Sequence, residues 1–435
     1  MATIDRPRSR VGSSRMPAVL GGTVLVVATA LTTAVGQATA DVVTNTITVE
    51  AGPGGVAITP DGAHVYVANQ NGHSVSVIAT ATNTVTATIP VGEGPSGMAI
   101  TPDGAFAYVT NLIDDSVSVI DTSINTEITT VPIGGTPNEV AITPDGALAY
   151  VPNTSNDSVS VIDTATNAVI TSVPVGRVPF GVTFTPNGAL AYVTNFLGDS
   201  VSVIDTATNA VIASVPVGVQ PIGVAFTPDG ALAYVTHQGD NSVSVIDTAT
   251  NAVVTTVSVG DRPNGIAITP DGNLAYVNNF DGSSVSVIDT ATNTIATTVP
   301  VGDRPSGVVI TPDGAHAYVT NWGDGTVSVI AIGKTPAEIA GTPTAGVVGQ
   351  PYEHTFTLTG EPAPTAAVTA GALPEGVALS EQGVLSGTPT TAGTYTFTVT
   401  ASNGVGDDAI LEATLDITEA TEPVPSNPWG SLGGS

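Results

Sequence analysis

The stretch from Thr101 to Asp121, TPDGAFAYVTNLIDDSVSVID, carries the three motifs that decide the fold. Its Thr-Pro-Asp-Gly turn, its Tyr-Val-x-Asn segment and its Ser-Val-Ser-Val-Ile run return every 42 residues, in seven copies with single-residue departures and no insertions. The copies of the turn begin at Thr59, Thr101, Thr143, Thr185, Thr227, Thr269 and Thr311. Such a fixed period indicates a repeat protein in which every unit has the same structure.

Each unit contains four short segments rich in Val, Ile, Thr and Tyr, and none of them has a helical period. In the second unit the predicted strands cover residues 97–101, 105–111, 116–121 and 126–133. Pro102-Asp103-Gly104 presets a tight turn between the first two strands. Four antiparallel strands in each of seven units predict a seven-bladed β-propeller over residues 41–332.

The seventh unit loses the pattern after Ile332 and lacks a fourth strand. A shift of 42 residues without gaps places Val43, Ile47 and Val49 on the apolar positions of the fourth strand in the first unit. We therefore expect residues 41–50 to pair with residues 328–332 and to close the ring. A closed ring has no open sheet edge at which a secreted protein could aggregate.

These repeats resemble the Tyr-Val-Thr-Asn family of β-propeller repeats, whose motif stands literally at residues 108–111, 192–195 and 318–321. The match covers residues 41 to 332. The resemblance implies a surface or secreted propeller, related in fold to bacterial lactonases and to the propeller of the nitrous-oxide-reductase type. Kinship of fold does not by itself transfer an activity.

A second β-rich stretch, residues 333–419, follows the repeats. Its segments GVLSGTP (residues 383–389) and GTYTFTV (residues 393–399) resemble the immunoglobulin-like, cadherin-related domain that is common on bacterial exoproteins. Tyr395, Phe397 and Val399 alternate with threonines, which predicts a sandwich strand with one buried and one wet face. The expected fold class is therefore all-β: a seven-bladed propeller followed by an immunoglobulin-like β-sandwich. Residues 420–435 are expected to form a flexible tail without a wall-sorting signal.

The N-terminal residues 1–40 have the features of a secretory signal peptide: basic residues, an apolar run over residues 16–35, and Ala38-Thr39-Ala40 at the end. An uncleaved anchor is the alternative, because the run is nearly long enough to span a bilayer. Cleavage after Ala40 would leave 36 acidic and 4 basic residues, a net charge of 4 minus 36, or −32. This charge opposes binding to nucleic acid or anionic lipid. The absence of cysteine excludes disulfides, thiolate metal sites and cysteine catalysis.

Differences between the seven copies are confined to one expected face of the ring. The Thr-Pro-Asp-Gly and Asp-Thr-Ala-Thr-Asn turns barely vary, and alternation of the strands places both on the same face, where aspartate serves turn geometry. The opposite face surrounds the mouth of the central channel in propellers. The candidate ligand-binding residues on this variable face are Arg177, Phe180, Phe196, Ile222, His237, Arg262, Phe280, Arg304 and Trp322.

Aromatic rings and guanidinium groups in an otherwise anionic protein suit a glycan, a carboxylate-bearing polymer or a protein loop. The alternative is that each arginine pairs with neighbouring acidic residues such as Asp199, Asp261 or Asp303. Asp115, Asp157 and Asp199 are calcium candidates on the same face, although their spacing is not that of an EF-hand loop. No other cofactor and no other metal site is expected, because none of the histidines has a metal-ligand spacing.

The sequence therefore favours a secreted or cell-surface-associated monomer that binds a glycan, a surface polymer or a protein and is not a catalyst. A lactonase-like hydrolase on the same face is the alternative. Such an enzyme should show convergent acid, base and oxyanion-stabilising groups around the channel. We expect none, since the units are nearly identical and show no singular His, Glu or Arg constellation.

Overall fold

Strands supply the regular structure of the computed structural model, which describes residues 41–333, 335–361, 363–403 and 408–420. The predicted signal peptide and residues 421–435 of the predicted tail lie outside the described residues. Nowhere in the described ranges is there a helix with the length and hydropathy needed to cross a bilayer.

Residues 42–331 form seven four-stranded antiparallel sheets, the blades, which confirms the predicted propeller. The first strand along the chain is β1 (Val42–Thr48). Blades 1 to 3 are built from β2 (Pro53–Ile58), β3 (His64–Asn69), β4 (Ser74–Ala79) and β5 (Thr84–Pro90); β6 (Pro95–Ile100), β7 (Phe106–Asn111), β8 (Ser116–Asp121) and β9 (Thr126–Pro132); and β10 (Ala141–Ile142), β11 (Leu148–Asn153), β12 (Ser158–Asp163) and β13 (Ala168–Pro174).

Blades 4 to 7 repeat the same order of strands. They are built from β14 (Pro179–Phe184), β15 (Leu190–Asn195), β16 (Ser200–Asp205) and β17 (Ala210–Pro216); β18 (Pro221–Phe226), β19 (Leu232–His237), β20 (Ser242–Asp247) and β21 (Ala252–Ser258); β22 (Pro263–Ile268), β23 (Leu274–Asn279), β24 (Ser284–Asp289) and β25 (Thr294–Pro300); and β26 (Pro305–Ile310), β27 (His316–Asn321) and β28 (Thr326–Ala331).

The N-terminal strand β1 completes blade 7, as the sequence predicts. It pairs antiparallel with β28, with Val42 opposite Ala331 and Ile47 opposite Val327. Ile47 is buried and packs in the cluster that joins blades 7 and 1. The N-terminal strand of the propeller therefore supplies the fourth strand of the last blade and closes the ring.

The hydrophobic core lies between neighbouring blades, in seven clusters of the same composition. Between blades 1 and 2, for example, Tyr66, Val75 and Val77 pack against Val109 and Ile120. The inward-facing valines of the second and third strands are fully buried in every blade. Each blade thus buries its apolar side chains only by contact with the next blade, which is why the units are stable as a ring and not singly.

The tyrosine of each Tyr-Val-x-Asn segment ties its blade to the next one. Tyr108 is buried, and its hydroxyl donates to Asn167 Oδ1 in the Asp-Thr-Ala-Thr-Asn turn of the following blade, at 2.6 Å. The same bond joins five other pairs: Tyr66 to Asn125, Tyr150 to Asn209, Tyr192 to Asn251, Tyr234 to Asn293 and Tyr318 to Asn83. The asparagines adopt a positive φ, a conformation that asparagine tolerates better than most residues.

At the ring closure the acceptor of this bond is Asp41 instead of asparagine. The Tyr276 hydroxyl and the Gly333 N–H both donate to the Asp41 carboxylate. Burial raises the pKa of Asp41, and these two hydrogen bonds offset the rise only in part. The charged form of Asp41 is therefore less favourable in the folded ring than in the unfolded chain.

We expect Asp41→Asn to stabilise the protein at neutral pH. A carboxyl group with a raised folded-state pKa stabilises the fold when protonated, and that contribution is lost as pH rises from its unfolded value of 3.8 through the folded value. Asparagine is neutral at every pH, and in the other six blades its side-chain oxygen accepts the hydrogen bond from the tyrosine hydroxyl. Urea unfolding at several pH values should show the advantage of the variant shrinking towards pH 4. An advantage that is independent of pH would contradict this account.

The C-terminal strands form an immunoglobulin-like sandwich, which confirms the predicted fold class. The strands are β29 (Thr335–Ala340), β30 (Gly346–Val347), β31 (Tyr352–Thr355), β32 (Thr357–Glu361), β33 (Thr365–Gly371), β34 (Val377–Leu379), β35 (Val384–Gly387), β36 (Gly393–Ser402) and β37 (Ala409–Thr418). A four-stranded sheet has the order β30-β37-β36-β33, a three-stranded sheet the order β31-β35-β34, and β29 pairs with β32. Phe397, Val399 and Ala401 on β36 are buried with Leu385 and Phe356, as the alternation predicts.

Candidate functional site

Alternate connections of each blade emerge on opposite faces of the ring. In blade 1 the Thr80 hydroxyl donates to the carbonyl oxygen of Gly62, at 2.7 Å, which joins the two constant turns on one face. The other two connections meet on the opposite face, where the Gln70 N–H donates to the carbonyl oxygen of Gly52 at 2.8 Å. The division into a constant and a variable face follows from this alternation.

The aspartates of the constant face serve the turns. Asp61 Oδ1 accepts from the Thr59 hydroxyl at 2.6 Å and from the Ala63 N–H at 2.9 Å. These bonds hold the pKa of the Asp61 carboxyl below its usual value. The same pattern repeats around the ring, so the acidity of this face is explained by backbone geometry.

A cavity of about 460 Å³ opens where the first strands of the seven blades converge. Every blade contributes the residue after its conserved proline, and these residues are Gly54, Ser96, Asn138, Phe180, Ile222, Asn264 and Ser306. Phe280, Trp322 and Gln70 line the same cavity from the variable loops. The volume falls within the range of small-molecule sites.

Aromatic pairs stand at two places on the rim of this cavity. Phe180 and Phe196 have their ring centroids 6.3 Å apart, and Phe280 and Trp322 have theirs 6.5 Å apart. All four side chains are half-buried. The indole N–H of Trp322 donates to Gln70 Oε1 at 3.1 Å, which fixes the ring in blade 7 against the loop of blade 1.

Two of the three candidate arginines stack on these rings. The Arg262 guanidinium lies 5.4 Å from the Phe280 centroid, and that of Arg304 lies 5.7 Å from the Trp322 ring. Arg262 also contacts Asp281, at 3.3 Å, in the one ion pair found within the described ranges. Arg177 is exposed on the same face.

The alternative of arginine–aspartate pairing holds within the described residues for Arg262 alone, whose partner is Asp281 and not Asp199, Asp261 or Asp303. Two of these carboxylates are engaged elsewhere: Asp199 Oδ1 accepts from the Gln220 N–H at 3.0 Å, and Asp261 Oδ1 from the Asn241 amide at 3.2 Å. The guanidinium groups of Arg262 and Arg304 lie over aromatic rings.

His237 belongs to the blade core and not to the mouth. Its side chain is fully buried, and Nε2 accepts from the Ser244 N–H at 3.2 Å. In the other blades an asparagine in this place donates to one or two hydroxyl groups of the following strand, as Asn111 does to Ser116 and Ser118. Burial lowers the pKa of His237 to about 4, so the imidazole is neutral at pH 7. Ser118 is buried and accepts this cross-strand hydrogen bond from Asn111 at 2.8 Å.

The calcium candidates Asp115, Asp157 and Asp199 each accept a hydrogen bond from a backbone N–H in the connection to the next blade. Asp115 Oδ1 accepts from the Thr136 N–H at 2.7 Å, and Asp157 Oδ1 from the Val178 N–H at 2.7 Å. All three aspartates have a positive φ in equivalent turns. Among the described residues no three or more His, Asp or Glu side chains converge as a metal site would require.

Glu139 is the functional candidate that the sequence reasoning missed. It lines the cavity at a position where the other six blades have glycine: Gly55, Gly97, Gly181, Gly223, Gly265 and Gly307. Burial raises the pKa of its carboxyl to about 7. A single carboxyl is not the constellation of acid, base and oxyanion-stabilising groups that a hydrolase requires, but this one was not singled out from the sequence. In the sequence, Glu139 is visible as the one residue other than glycine at this position of the 42-residue repeat.

Glycine is required at this position because the next blade lies too close. A Cβ atom built on Gly55 would lie 2.2 Å from the carbonyl oxygen of Ser96, and one on Gly181 would lie 2.2 Å from that of Ile222. Blade 3, which carries Glu139, keeps only Ala141–Ile142 of the first strand. The glutamate side chain thus explains why the inner strand of this blade is shorter than the others.

Comparisons with known proteins agree with this architecture. Residues 85–358 match the model of the virginiamycin B lyase family, and residues 334–418 match that of a family described as "Putative Ig domain". The solved structure of hydrazine synthase from Kuenenia stuttgartiensis is similar with a TM-score of 0.60 and 28% identity, over 64% of this chain and 95% of that chain. No curated protein matches the sequence.

Proposed function

The chain belongs to the virginiamycin B lyase family. From the geometry of the channel mouth we propose that its propeller is a non-catalytic binding module that holds a carbohydrate there. A propeller joined to an immunoglobulin-like domain fits a binding or scaffold role. With the predicted signal peptide, this role belongs outside the cell, where surface glycans are the available ligands.

The observation that carries the proposal is the pair of half-buried rings under stacked guanidinium groups at the edge of the cavity. Phe280 and Trp322 are held by Arg262, Arg304 and Gln70, so they present rigid amphipathic surfaces at little entropic cost on binding. Sugar rings pack their C–H faces on such surfaces. The neutral amide and hydroxyl groups of the cavity supply partners for sugar hydroxyls.

We expect the double change Phe280→Ala and Trp322→Ala to weaken glycan binding at least about ten-fold, since buried aromatic anchors dominate binding energy. The test is a glycan and surface-polymer array with the purified protein, followed by titration calorimetry on the strongest ligand. Ile212→Ala, an exposed apolar residue on the outer strand of blade 4, is the matched control and should bind as the wild type does. Equal binding by the double variant would overturn the proposal.

An enzyme is the second candidate, and Glu139 is the observation that favours it. A carboxyl with a pKa of about 7 is suited to general acid–base catalysis near neutral pH. No other titratable side chain lines the described cavity, so a second acid or base would have to come from elsewhere. Turnover of virginiamycin B or of a simple lactone by the wild type, and not by Glu139→Gln, would favour this candidate over binding alone.

A further inference from the structure

Resting on the proposed function, we propose that the channel mouth selects glycans that carry free amino groups, and that the ligand amine lies against Glu139 inside the cavity. The ligand class is an amino-sugar oligomer, with its rings against the aromatic rim and a protonated amine next to the carboxyl group.

The Glu139 carboxyl has no cationic partner in the cavity. None of the described residues that line it is a lysine, arginine or histidine, and the other polar side chains there are amides or hydroxyls. Glu139 is half-buried, and a carboxylate partly removed from water is unfavourable unless a positive charge or hydrogen-bond donors compensate it. A ligand ammonium group supplies both.

The chain retains this carboxyl at a position that the fold reserves for glycine. In the other six blades the equivalent Cβ would approach the neighbouring backbone, and blade 3 gives up part of its inner strand to accommodate the side chain. The Val140 N–H is a hydrogen-bond partner of this carboxyl but offsets the effect of burial only in part. A residue that departs from a repeated structural pattern without full compensation is expected at a functional site. The seven-fold pattern therefore points to the same residue as the electrostatics.

The net charge of the whole chain also favours a cationic ligand. The whole chain has 37 acidic and 8 basic residues, a net charge of −29, so its field attracts polycations and repels polyanions. On the rim the charge of Arg262 is balanced by Asp281. Arg304, above Trp322, is the one rim cation on that side of the cavity without an ion pair in the described structure, and it is not among the residues that line the cavity.

A carbohydrate fits the cavity better than a peptide does. Its neutral polar groups, among them Gln70, Ser96, Asn264 and Ser306, line a space of about 460 Å³ from many sides, as the hydroxyls around a sugar ring require. An extended peptide would instead seek an open strand edge. In blade 7 such an edge is offered by β1, the outermost strand, and no residue of β1 lines the cavity. Binding of an amine-bearing peptide in place of the sugar is an outcome of the test below.

The test is titration calorimetry with a tetramer of glucosamine and the matched tetramer of N-acetylglucosamine, at pH 7.0 and pH 5.5. We expect the wild type to bind the free-amine tetramer at least about ten-fold more tightly at pH 7.0. Acidification to pH 5.5 protonates Glu139 and also increases the charge on the ligand amine, so its effect is judged against Glu139→Gln, in which only the amine titrates. Glu139→Gln should lose the preference at pH 7.0, and at pH 5.5 the wild type and this variant should bind the free-amine tetramer alike. Glu93→Gln, an exposed residue on the same face, is the control and should match the wild type at both pH values.

The outcomes separate this inference from the proposed function. Equal affinity of the two tetramers in the wild type, with loss of both in the Phe280 and Trp322 double variant, would overturn the amine selectivity and leave carbohydrate binding intact. Tight binding of a lysine-rich peptide with no binding of either tetramer would overturn the carbohydrate class. Thermal melting of Glu139→Gln, expected to match the wild type, shows that a loss of affinity is not a loss of fold.

Discussion

Removal of residues 41–50 is expected to abolish the cooperative unfolding transition of the propeller and to cause aggregation. The deletion strips the pairing partner from β28, takes buried Ile47 out of the cluster between blades 7 and 1, and leaves the Tyr276 hydroxyl without its acceptor. The exposed edge of β28 would then be free to pair with another chain.

The size of the effect follows from what is lost. Burial of one isoleucine contributes about 1.5–3 kcal/mol, a ladder hydrogen bond about 0.5–1.5 kcal/mol, and an orphaned buried hydroxyl costs about 1–3 kcal/mol. The sum is comparable to the whole stability of a domain, about 5–15 kcal/mol. Differential scanning calorimetry of residues 51–435 against residues 41–435 checks it, with Thr46→Ala, exposed on the same strand, as control. An unchanged melting curve would show that the ring does not depend on β1.

Gly55→Ala is expected to destabilise the protein by about 2–3 kcal/mol, whereas Gly54→Ala should change little. The added Cβ of Gly55→Ala would lie 2.2 Å from the carbonyl oxygen of Ser96, and backbone of the next blade cannot move aside cheaply. For Gly54 the nearest atom is that same oxygen, at 3.6 Å, an ordinary contact. The two glycines are adjacent in β2, so their comparison isolates the inter-blade contact.

Glu139→Gly is the reciprocal change, and it should leave stability equal to or above that of the wild type. It would restore the residue that six blades already have. Urea unfolding of the three variants measures all the differences on one scale. Equal losses for Gly55→Ala and Gly54→Ala would contradict the account of why blade 3 is irregular, and a large loss for Glu139→Gly would mean that the glutamate is a structural residue.

The sequence predicted the fold because the repeat made each local signal visible seven times. The turn at Pro102-Asp103-Gly104 and the pattern around Tyr108 predict the same strands in every copy. The 42-residue shift predicts that β1 is the fourth strand of blade 7. The bond from each tyrosine to the asparagine of the next blade was not predicted. It joins residues 59 positions apart, a distance set by the packing of blades and not by any local pattern.

The site was predicted in part, and its errors have physical causes. Phe280 and Trp322 were placed at the mouth because their loops lie on the variable face, and they line the cavity. His237 was placed there by the same reasoning, but it takes the role of a buried asparagine at a strand end. Glu139 was not predicted because the comparison of the seven copies covered the loops of the variable face. The channel is lined instead by the first strands of the blades, where six copies have glycine and one has glutamate.

The central claim, that the channel mouth is the binding site, is tested most directly by a crystal structure of the protein with the bound glucosamine tetramer. We expect sugar density against Phe280 and Trp322, with an amine nitrogen within hydrogen-bond distance, about 2.7–3.2 Å, of the Glu139 carboxylate. Density on the constant face of Thr-Pro-Asp-Gly turns, or on the immunoglobulin-like strands alone, would contradict the claim.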